Sequence, residues 1–222
     1  MLIGLSRPTG GSISIDGIDT SKRPKKAQKI MGVVPDESNL YNELDGFGNL
    51  CFNASLYGMR KEEREKRARQ LLEQFNLHKV GKRPFGAYSK GMRRKLTIAA
   101  GIIHSPRIIH SPRILFLDEP TTGIDVESAR QIRDIILSLN KQGTTVFITT
   151  HYIEDAERIC DRIVFIVNGK IVASGSVPEL MDSVTHGHTI QLVTDGTAEM
   201  FAAELQSRFI GCNVIVNQDH CP

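Results

Sequence analysis

The chain has 222 residues, of which 40% are apolar and 24% charged, a composition typical of a globular protein large enough to bury a core. Its net charge of +3 is too small to predict nucleic acid as a partner. No apolar run approaches the length of a membrane span. We therefore expect one domain with a small appendage, which would reach a membrane only through a partner.

The cysteines form no C-x-x-C pair, which predicts reduced thiols and a cytoplasmic setting. A zinc site built from Cys212, His220 and Cys221 is an alternative that the loose spacing disfavours.

The first part of the chain predicts turns and short strands. Residues 1–5 are expected to end a helix, and a turn at residues 7–11 leads into a strand at residues 12–16. A second, buried strand is predicted at residues 30–35. Residues 41–87 are predicted to be mainly helical. Within them, residues 61–75 form a charged helix whose alternating charges predict a solvated face with i,i+4 pairs.

A further helix is predicted from Ser89 to about Ile103 by its apolar spacing. Ser89 is placed to cap this helix, and Gly91 allows another group to approach its backbone closely. Together they predict an anion site at a positive helix end. An ordinary cap with a basic first turn is the alternative, but four cations that oppose the helix dipole favour a nearby anion: Lys90, Arg93, Arg94 and Lys95.

A six-residue repeat follows this helix, since residues 103–108 (IHSPRI) recur at once as residues 109–114. Pro106 should end the helix, the second copy should lead into a strand, and the surplus should form a surface loop. We interpret the repeat as a duplication and not as a motif.

The run Ile114–Asp118 contains four large apolar residues that meet two carboxylates, Asp118 and Glu119. This pattern predicts a strand buried on both faces of a parallel sheet, and ligands collect at the carboxyl ends of such strands. One carboxylate can then hold Mg²⁺ through water while the other polarises an attacking water. The alternative is a turn that ends the strand and caps the next helix.

The remaining elements alternate in type. A helix is predicted at residues 126–139, a strand at 144–150 that His151 follows, and a hairpin about Asn168 and Gly169. Residues 186–222 suggest a β-α-β appendage with no visible chemistry.

Four motifs in this order resemble the nucleotide-binding subunit of an ABC transporter. The string Tyr88-Ser89-Lys90-Gly91-Met92 is similar to the family signature, and residues 114–120 to the Walker B strand. Gly123-Ile124-Asp125 is similar to the D-loop, and His151 to the switch histidine. The similarity covers most of residues 1–180, and the signature string is similar to that of drug, antibiotic and sodium exporters.

The resemblance implies an α/β fold of the P-loop NTPase type, with a mainly parallel sheet. It assigns residues 1–180 to a partial ATPase domain, about 41–104 of them to a helical subdomain, and residues 186–222 to a partial C-terminal extension. The implied cofactors are ATP and Mg²⁺. The implied partners are a second ATP-binding subunit and a transmembrane permease, which would place the chain on the inner face of the cell membrane.

The resemblance also implies roles for individual residues. Glu119 would be the general base, Asp118 the Mg²⁺ carboxylate and His151 the γ-phosphate sensor. Asp125 would serve communication across the dimer, and two residues would face the phosphate bound by the other subunit: Ser89 and Gly91.

Two departures from the family pattern stand out. Asp36 occupies the position where the family places a glutamine, so it is a candidate for the outer shell of the metal or a simple turn residue. No G-x-x-x-x-G-K-[ST] occurs, so the loop that cradles phosphates and the strand before it are absent from the sequence. We expect that Met1 lies inside a longer protein or that the chain is truncated, and that ATP binding by this chain alone is feeble or absent.

Two alternatives to a competent transport ATPase remain. In the first, the chain is a non-catalytic partner or the product of a gene remnant, and it contributes only its signature motif to the ATP site of a neighbouring subunit. A DNA-repair ATPase shares the same motifs but needs long heptad arms, and none is visible in the sequence.

Overall fold

The computed structural model describes residues 1–80, 82–104 and 112–184, together with residues 201, 202, 204, 205 and 208. The chain divides into two compact units, Met1–Ile163 and Val164–Pro222. Within the described residues, no helix combines the length and the apolar character needed to cross a membrane.

The elements alternate along the chain as expected for an α/β protein. The strands are β1 Ser14–Ile15, β2 Ile18–Asp19, β3 Met31–Val34, β4 Ile114–Asp118, β5 Thr145–Thr149, β6 Ile163–Val167 and β7 Lys170–Gly175. The helices are α1 Pro24–Gln28, α2 Gly46–Leu56, α3 Lys61–Gln74, α4 Lys90–Ile102, α5 Val126–Lys141, α6 Ile153–Ile159 and α7 Val177–Val184.

The central sheet of the first unit has the order β3-β4-β5, and both pairs of strands are parallel. The predicted parallel sheet is therefore confirmed. In its register, Val34 lies opposite Leu117, and Asp118 lies opposite Thr149. The carboxyl ends of all three strands consequently meet at one edge.

The expectation that β4 is buried on both faces is wrong. Leu115 and Leu117 are buried among the apolar residues of α4 and α5. On the opposite face, Val33, Phe116 and Phe147 form a row across the three strands, and Val33 and Phe147 are 40% and 47% exposed. The apolar run thus reflects one face packed on helices and one face that is only partly covered.

Helix α4 lies directly on the backbone of β3. A Cβ atom on Gly32 would lie 2.5 Å from the carbonyl oxygen of Gly101, and one on Gly101 would lie 2.6 Å from Cγ2 of Val34. Glycine at both positions permits this close approach. The contact fixes the position of α4 relative to the carboxyl edge of the sheet.

Two predictions for the amino-terminal segment need correction. Residues 1–5 form a turn and not the end of a helix, because the amide of Gly4 donates to the carbonyl of Met1 at 2.9 Å and Gly4 has a positive φ of +84°, which no α-helix contains. The strand predicted at residues 12–16 is reduced to β1, which pairs antiparallel with β2.

Other predicted elements are confirmed. The helices α3, α4 and α5 lie within one or two residues of their predicted bounds. The turn between β6 and β7 has positive φ at Asn168 and Gly169, as a two-residue hairpin turn requires. The surplus loop of the duplication and most of the appendage lie outside the described residues, although the described residues between 201 and 208 are helical, within the predicted helix.

Candidate functional site

The carboxyl edge of the sheet brings Glu119 and His151 together. Glu119 follows β4 and donates its backbone N–H to the carbonyl of Thr149 at 3.0 Å, which extends the parallel ladder by one bond. His151 follows β5 by two residues, and its Nδ1 atom lies 2.9 Å from Oε1 of Glu119. Glu119 and His151 are separated in sequence by α5 and β5, and the register of β4 with β5 brings them into contact.

Glu119 is held tightly for a residue at a strand end. Its other carboxylate oxygen accepts a hydrogen bond from Oγ1 of Thr122 at 2.7 Å. Its backbone has φ of +47°, the left-handed region that a residue with a Cβ atom seldom adopts, and such strain is common at functional sites. Burial raises the pKa of Glu119, but the hydrogen bonds from His151 and Thr122 outweigh it and leave the pKa lowered. The side chain is thus a carboxylate at neutral pH.

Asp118 is the last residue of β4, and its side chain is exposed at the same edge. Its Oδ1 atom accepts a hydrogen bond from Oγ1 of Thr149, the residue directly opposite on β5. The two successive carboxylates have different partners, Thr149 for Asp118 and Thr122 with His151 for Glu119. The division of tasks between them stays a prediction.

A second cluster joins the starts of α4 and α5. Ser89 caps α4 by accepting from the amide of Met92 at 3.2 Å, and Asp125 caps α5 by accepting from the amide of Ser128 at 2.8 Å. A Cβ atom on Gly91 would collide with the side chain of Ser128 and lie 3.7 Å from Oδ2 of Asp125. The predicted signature and D-loop residues are thus neighbours within one chain.

The basic residues of α4 do not support the anion inferred from them. Arg93 and Arg94 donate to backbone carbonyl groups, and the ammonium group of Lys95 donates to the side chain of Gln131. The fold itself supplies acceptors for these three cations, so their opposition to the helix dipole does not require an anion, and the anion site stays a prediction. The capping geometry of Ser89 does not depend on these cations or on an anion.

Asp36 lies just beyond β3, with an exposed side chain. Its carbonyl oxygen accepts from Arg94 at 3.0 Å, and its carboxylate is close enough to attract the Arg94 guanidinium electrostatically. The position at the carboxyl edge agrees with a place near a bound metal, and the role remains a prediction.

A buried polar network next to the site was not predicted from the sequence. Asp155 on α6 accepts from Arg133 on α5 at 2.7 Å and from the hydroxyl of Thr121, two residues after Glu119. All three side chains are largely buried. The network ties the loop after Glu119 to the helix that follows His151. The burial of Arg94 was also not predicted, although its helical spacing with the buried Ile98 and Ile102 indicates a cation on the buried face of α4.

The fold is an α/β domain with two adjacent carboxylates, Asp118 and Glu119, at the carboxyl end of its central parallel strand. Residues 1–122 match the model of a family described as "ABC transporter". The chain is 35% identical over 207 residues to the linearmycin resistance ATP-binding protein LnrL of Bacillus subtilis, covering 93% of this chain and 65% of that protein. It is 39% identical over 180 residues to the doxorubicin resistance ATP-binding protein DrrA of Mycobacterium tuberculosis, covering 81% of this chain and 53% of that protein.

A solved structure supports the same assignment. An ATP-binding cassette in a dimeric post-hydrolysis state, bound to ADP and Pi, superposes with a TM-score of 0.67 at 26% identity over 78% of this chain and 76% of that one. The chain belongs to the ABC transporter family and has the fold of its ATP-binding subunits. It spans between half and two thirds of the length of the two resistance proteins.

Proposed function

We propose that this chain belongs to the ATP-binding and ATP-hydrolysing subunit that powers an ABC-type membrane exporter. The observation that carries the proposal is the 2.9 Å contact of Glu119 with His151 beside Asp118 at the carboxyl edge of a parallel sheet. This edge is where ligands bind in open α/β sheets. The resistance proteins named above support export as the process that it drives.

The residues at the edge fit the metal in part. Mg²⁺ is usually bound by one or two carboxylates together with substrate phosphates and water, and Asp118 supplies an exposed carboxylate. No cluster of three or more His, Cys, Asp or Glu able to hold a metal ion occurs among the described residues. When bound with ATP, Mg²⁺ would neutralise charge on the phosphates, and Asp118 would hold it.

Glu119 is the proposed general base. Its carboxylate is unprotonated at neutral pH, and Thr122 and His151 each orient one of its oxygens, so it is prepared to accept a proton from water. His151, whose side chain is largely exposed, is proposed to contact the terminal phosphate. Asp36 is proposed as an outer neighbour of the metal.

The second cluster is proposed to serve a different nucleotide. Ser89 and Gly91 would face the phosphate bound by a second ATP-binding subunit. Asp125 would serve communication across the interface between the two subunits. A transmembrane permease would be the other partner, so we place the chain in the cytoplasm against the inner face of the membrane. No role with nucleic acid is proposed.

A second candidate function rests on the start of α4, where Ser89 caps the helix and Gly91 lets the side chain of Ser128 approach closely. A non-catalytic subunit would need only this signature surface, which it would lend to a competent neighbour. We further propose that the 222 residues alone bind ATP feebly or not at all, because the backbone cradle for the phosphates is missing.

The test measures ATP binding and hydrolysis by the isolated chain and by its Glu119→Gln variant. We expect no hydrolysis that depends on Glu119, and a measurable Glu119-dependent rate would show this expectation to be wrong. Sequencing the gene upstream of the Met1 codon separates the two functions. A G-x-x-x-x-G-K-[ST] segment encoded there supports the catalytic subunit, and its absence supports the non-catalytic partner.

A further inference from the structure

Arg94 is a buried cation beneath the carboxyl edge of the sheet. Only 7% of the residue is exposed, and its guanidinium group donates to four backbone carbonyl groups. The acceptors are the carbonyl oxygens of Pro35 at 2.5 Å, Asp36 at 3.0 Å, Asp118, and Pro120 at 3.1 Å. Glu119 therefore lies between two residues whose carbonyl groups bind the same side chain.

These carbonyl groups need a donor because the strands separate at this point. The last paired residues of β3 and β4 are Val34 and Leu117, and the acceptors lie beyond them. A buried carbonyl group without a partner is costly. A guanidinium group carries five N–H donors in a rigid plane, so one arginine serves acceptors on two diverging segments, which the single ammonium group of lysine cannot do equally well.

The charges around Arg94 agree with this placement. Burial lowers the pKa of Arg94, and the carboxylates of Asp36, Asp118 and Glu119 act against that effect. The buried cation is therefore stabilised by the acidic groups of the site as well as by backbone dipoles. Within the part of the chain that the structure describes, no other side chain of α4 donates to backbone groups at the ends of both β3 and β4.

We propose that Arg94 is a positioning residue that fixes the backbone on both sides of Glu119 and connects it to α4. The first turn of α4 carries Gly91 and is capped by Ser89, so a displacement of this helix would reach the carboxylates through one side chain. Only the purpose of this connection, to link α4 with the carboxylates, rests on the proposed function. The positioning of the backbone by Arg94 is tested without nucleotide, so its failure can be distinguished from a failure of the proposed function.

The experiment compares Arg94→Met and Arg94→Lys with the matched control Arg93→Met. Arg93 lies next to Arg94 on α4, but it donates to the carbonyl groups of Gly86 and Tyr88, on the approach to that helix. The first readout is amide hydrogen exchange by mass spectrometry. We expect Arg94→Met to accelerate exchange about tenfold at the amides of residues 33–34, where β3 ends, and of residues 118–119 and 121–122, with residues 132–139 of α5 unchanged.

We expect Arg94→Lys to give a smaller acceleration at both segments, and Arg93→Met to accelerate exchange only near residues 86–89. The second readout is the ring proton resonance of His151, assigned by its loss in His151→Gln. Arg94→Met should shift this resonance towards its position in Glu119→Gln, whereas Arg93→Met should leave it in place. This signal reports on the placement of Glu119, which a general loss of stability does not move.

Three results would overturn the proposal. The first is amide exchange in Arg94→Met that is unchanged at the end of β3 or of β4. The second is an acceleration of exchange in α5 as large as that at the strand ends. The third is a His151 resonance that Arg94→Met leaves in its wild-type position. If Arg94→Met does not fold, the same comparison with Arg94→Lys decides, and wild-type exchange and resonance in that variant would refute the need for a guanidinium group.

Discussion

The Nδ1 atom of His151 lies 2.9 Å from Oε1 of Glu119, although the two residues leave different strands. The contact arises because β4 and β5 are parallel and in register up to the pair Asp118 and Thr149. Glu119 makes it from a backbone conformation with φ of +47°. The backbone of Glu119 is therefore strained at the residue that we propose as the general base.

The strain at Glu119 predicts that glycine is more stable there than alanine. Both substitutions remove the carboxylate and its contacts, so their difference isolates the backbone. We expect Glu119→Gly to exceed Glu119→Ala by about 1 kcal/mol in the free energy of unfolding. Urea denaturation measures the difference, and an alanine variant at least as stable as the glycine variant would contradict the strained conformation.

The buried network predicts a large cost for Asp155→Ala. The side chains of Asp155 and Arg133 are 11% and 16% exposed, so the substitution leaves a largely buried guanidinium without its partner. We expect a loss of about 3 kcal/mol in the free energy of unfolding. The control is Glu154→Ala, whose side chain is 84% exposed and for which we expect less than about 0.5 kcal/mol. Equal losses in the two variants would argue against the network.

The contact between α4 and α5 predicts that Gly91→Ala is destabilising and that Ser128→Gly compensates for it. The new Cβ atom would lie 2.5 Å from Cβ of Ser128, so one helix must move. We expect a cost of about 1–3 kcal/mol from this overpacking. In the double variant the cost should shrink, and strictly additive effects in denaturation experiments would show that the two residues do not meet.

Tyr88, which stands in the signature string, predicts a pH dependence. Burial raises its pKa, so the folded protein holds the phenolic proton more tightly than the unfolded chain does. The resulting stabilisation is complete below the pKa of an unfolded tyrosine and is lost as the pH rises through the folded value. Ultraviolet titration should show a late-ionising component that Tyr88→Phe removes and Tyr41→Phe retains. Persistence of that component in Tyr88→Phe would contradict the burial.

Much of the site could be predicted because it depends on local patterns. The apolar runs at β4 and β5 predict two parallel strands. The residues that follow parallel strands lie at the same edge of the sheet. The positions of Asp118, Glu119 and His151 follow from that argument alone. Likewise the apolar spacing of α4 predicts Ser89 as its cap.

The contacts that hold the site could not be predicted, because they join residues far apart in the chain. Arg94 binds carbonyl groups 58 and 59 residues earlier, and Asp155 binds a hydroxyl group 34 residues earlier. The basic start of α4 is a further example. Its cations suggested a ligand, whereas Arg93 and Arg94 donate to backbone carbonyl groups and Lys95 to the side chain of Gln131, acceptors that only the tertiary fold reveals.

The most direct test of the account is the rate of ATP hydrolysis by a protein in which residues 1–222 follow a P-loop segment. That segment is taken from the gene upstream of Met1 if it is encoded there, and otherwise from LnrL. We compare Glu119→Gln with the matched control Glu127→Gln, an exposed carboxylate that pairs with Arg130. Loss of a general base predicts a rate at least about 100-fold lower for Glu119→Gln and an unchanged rate for Glu127→Gln. A protein that binds ATP and hydrolyses it equally fast in both variants would contradict the role of Glu119.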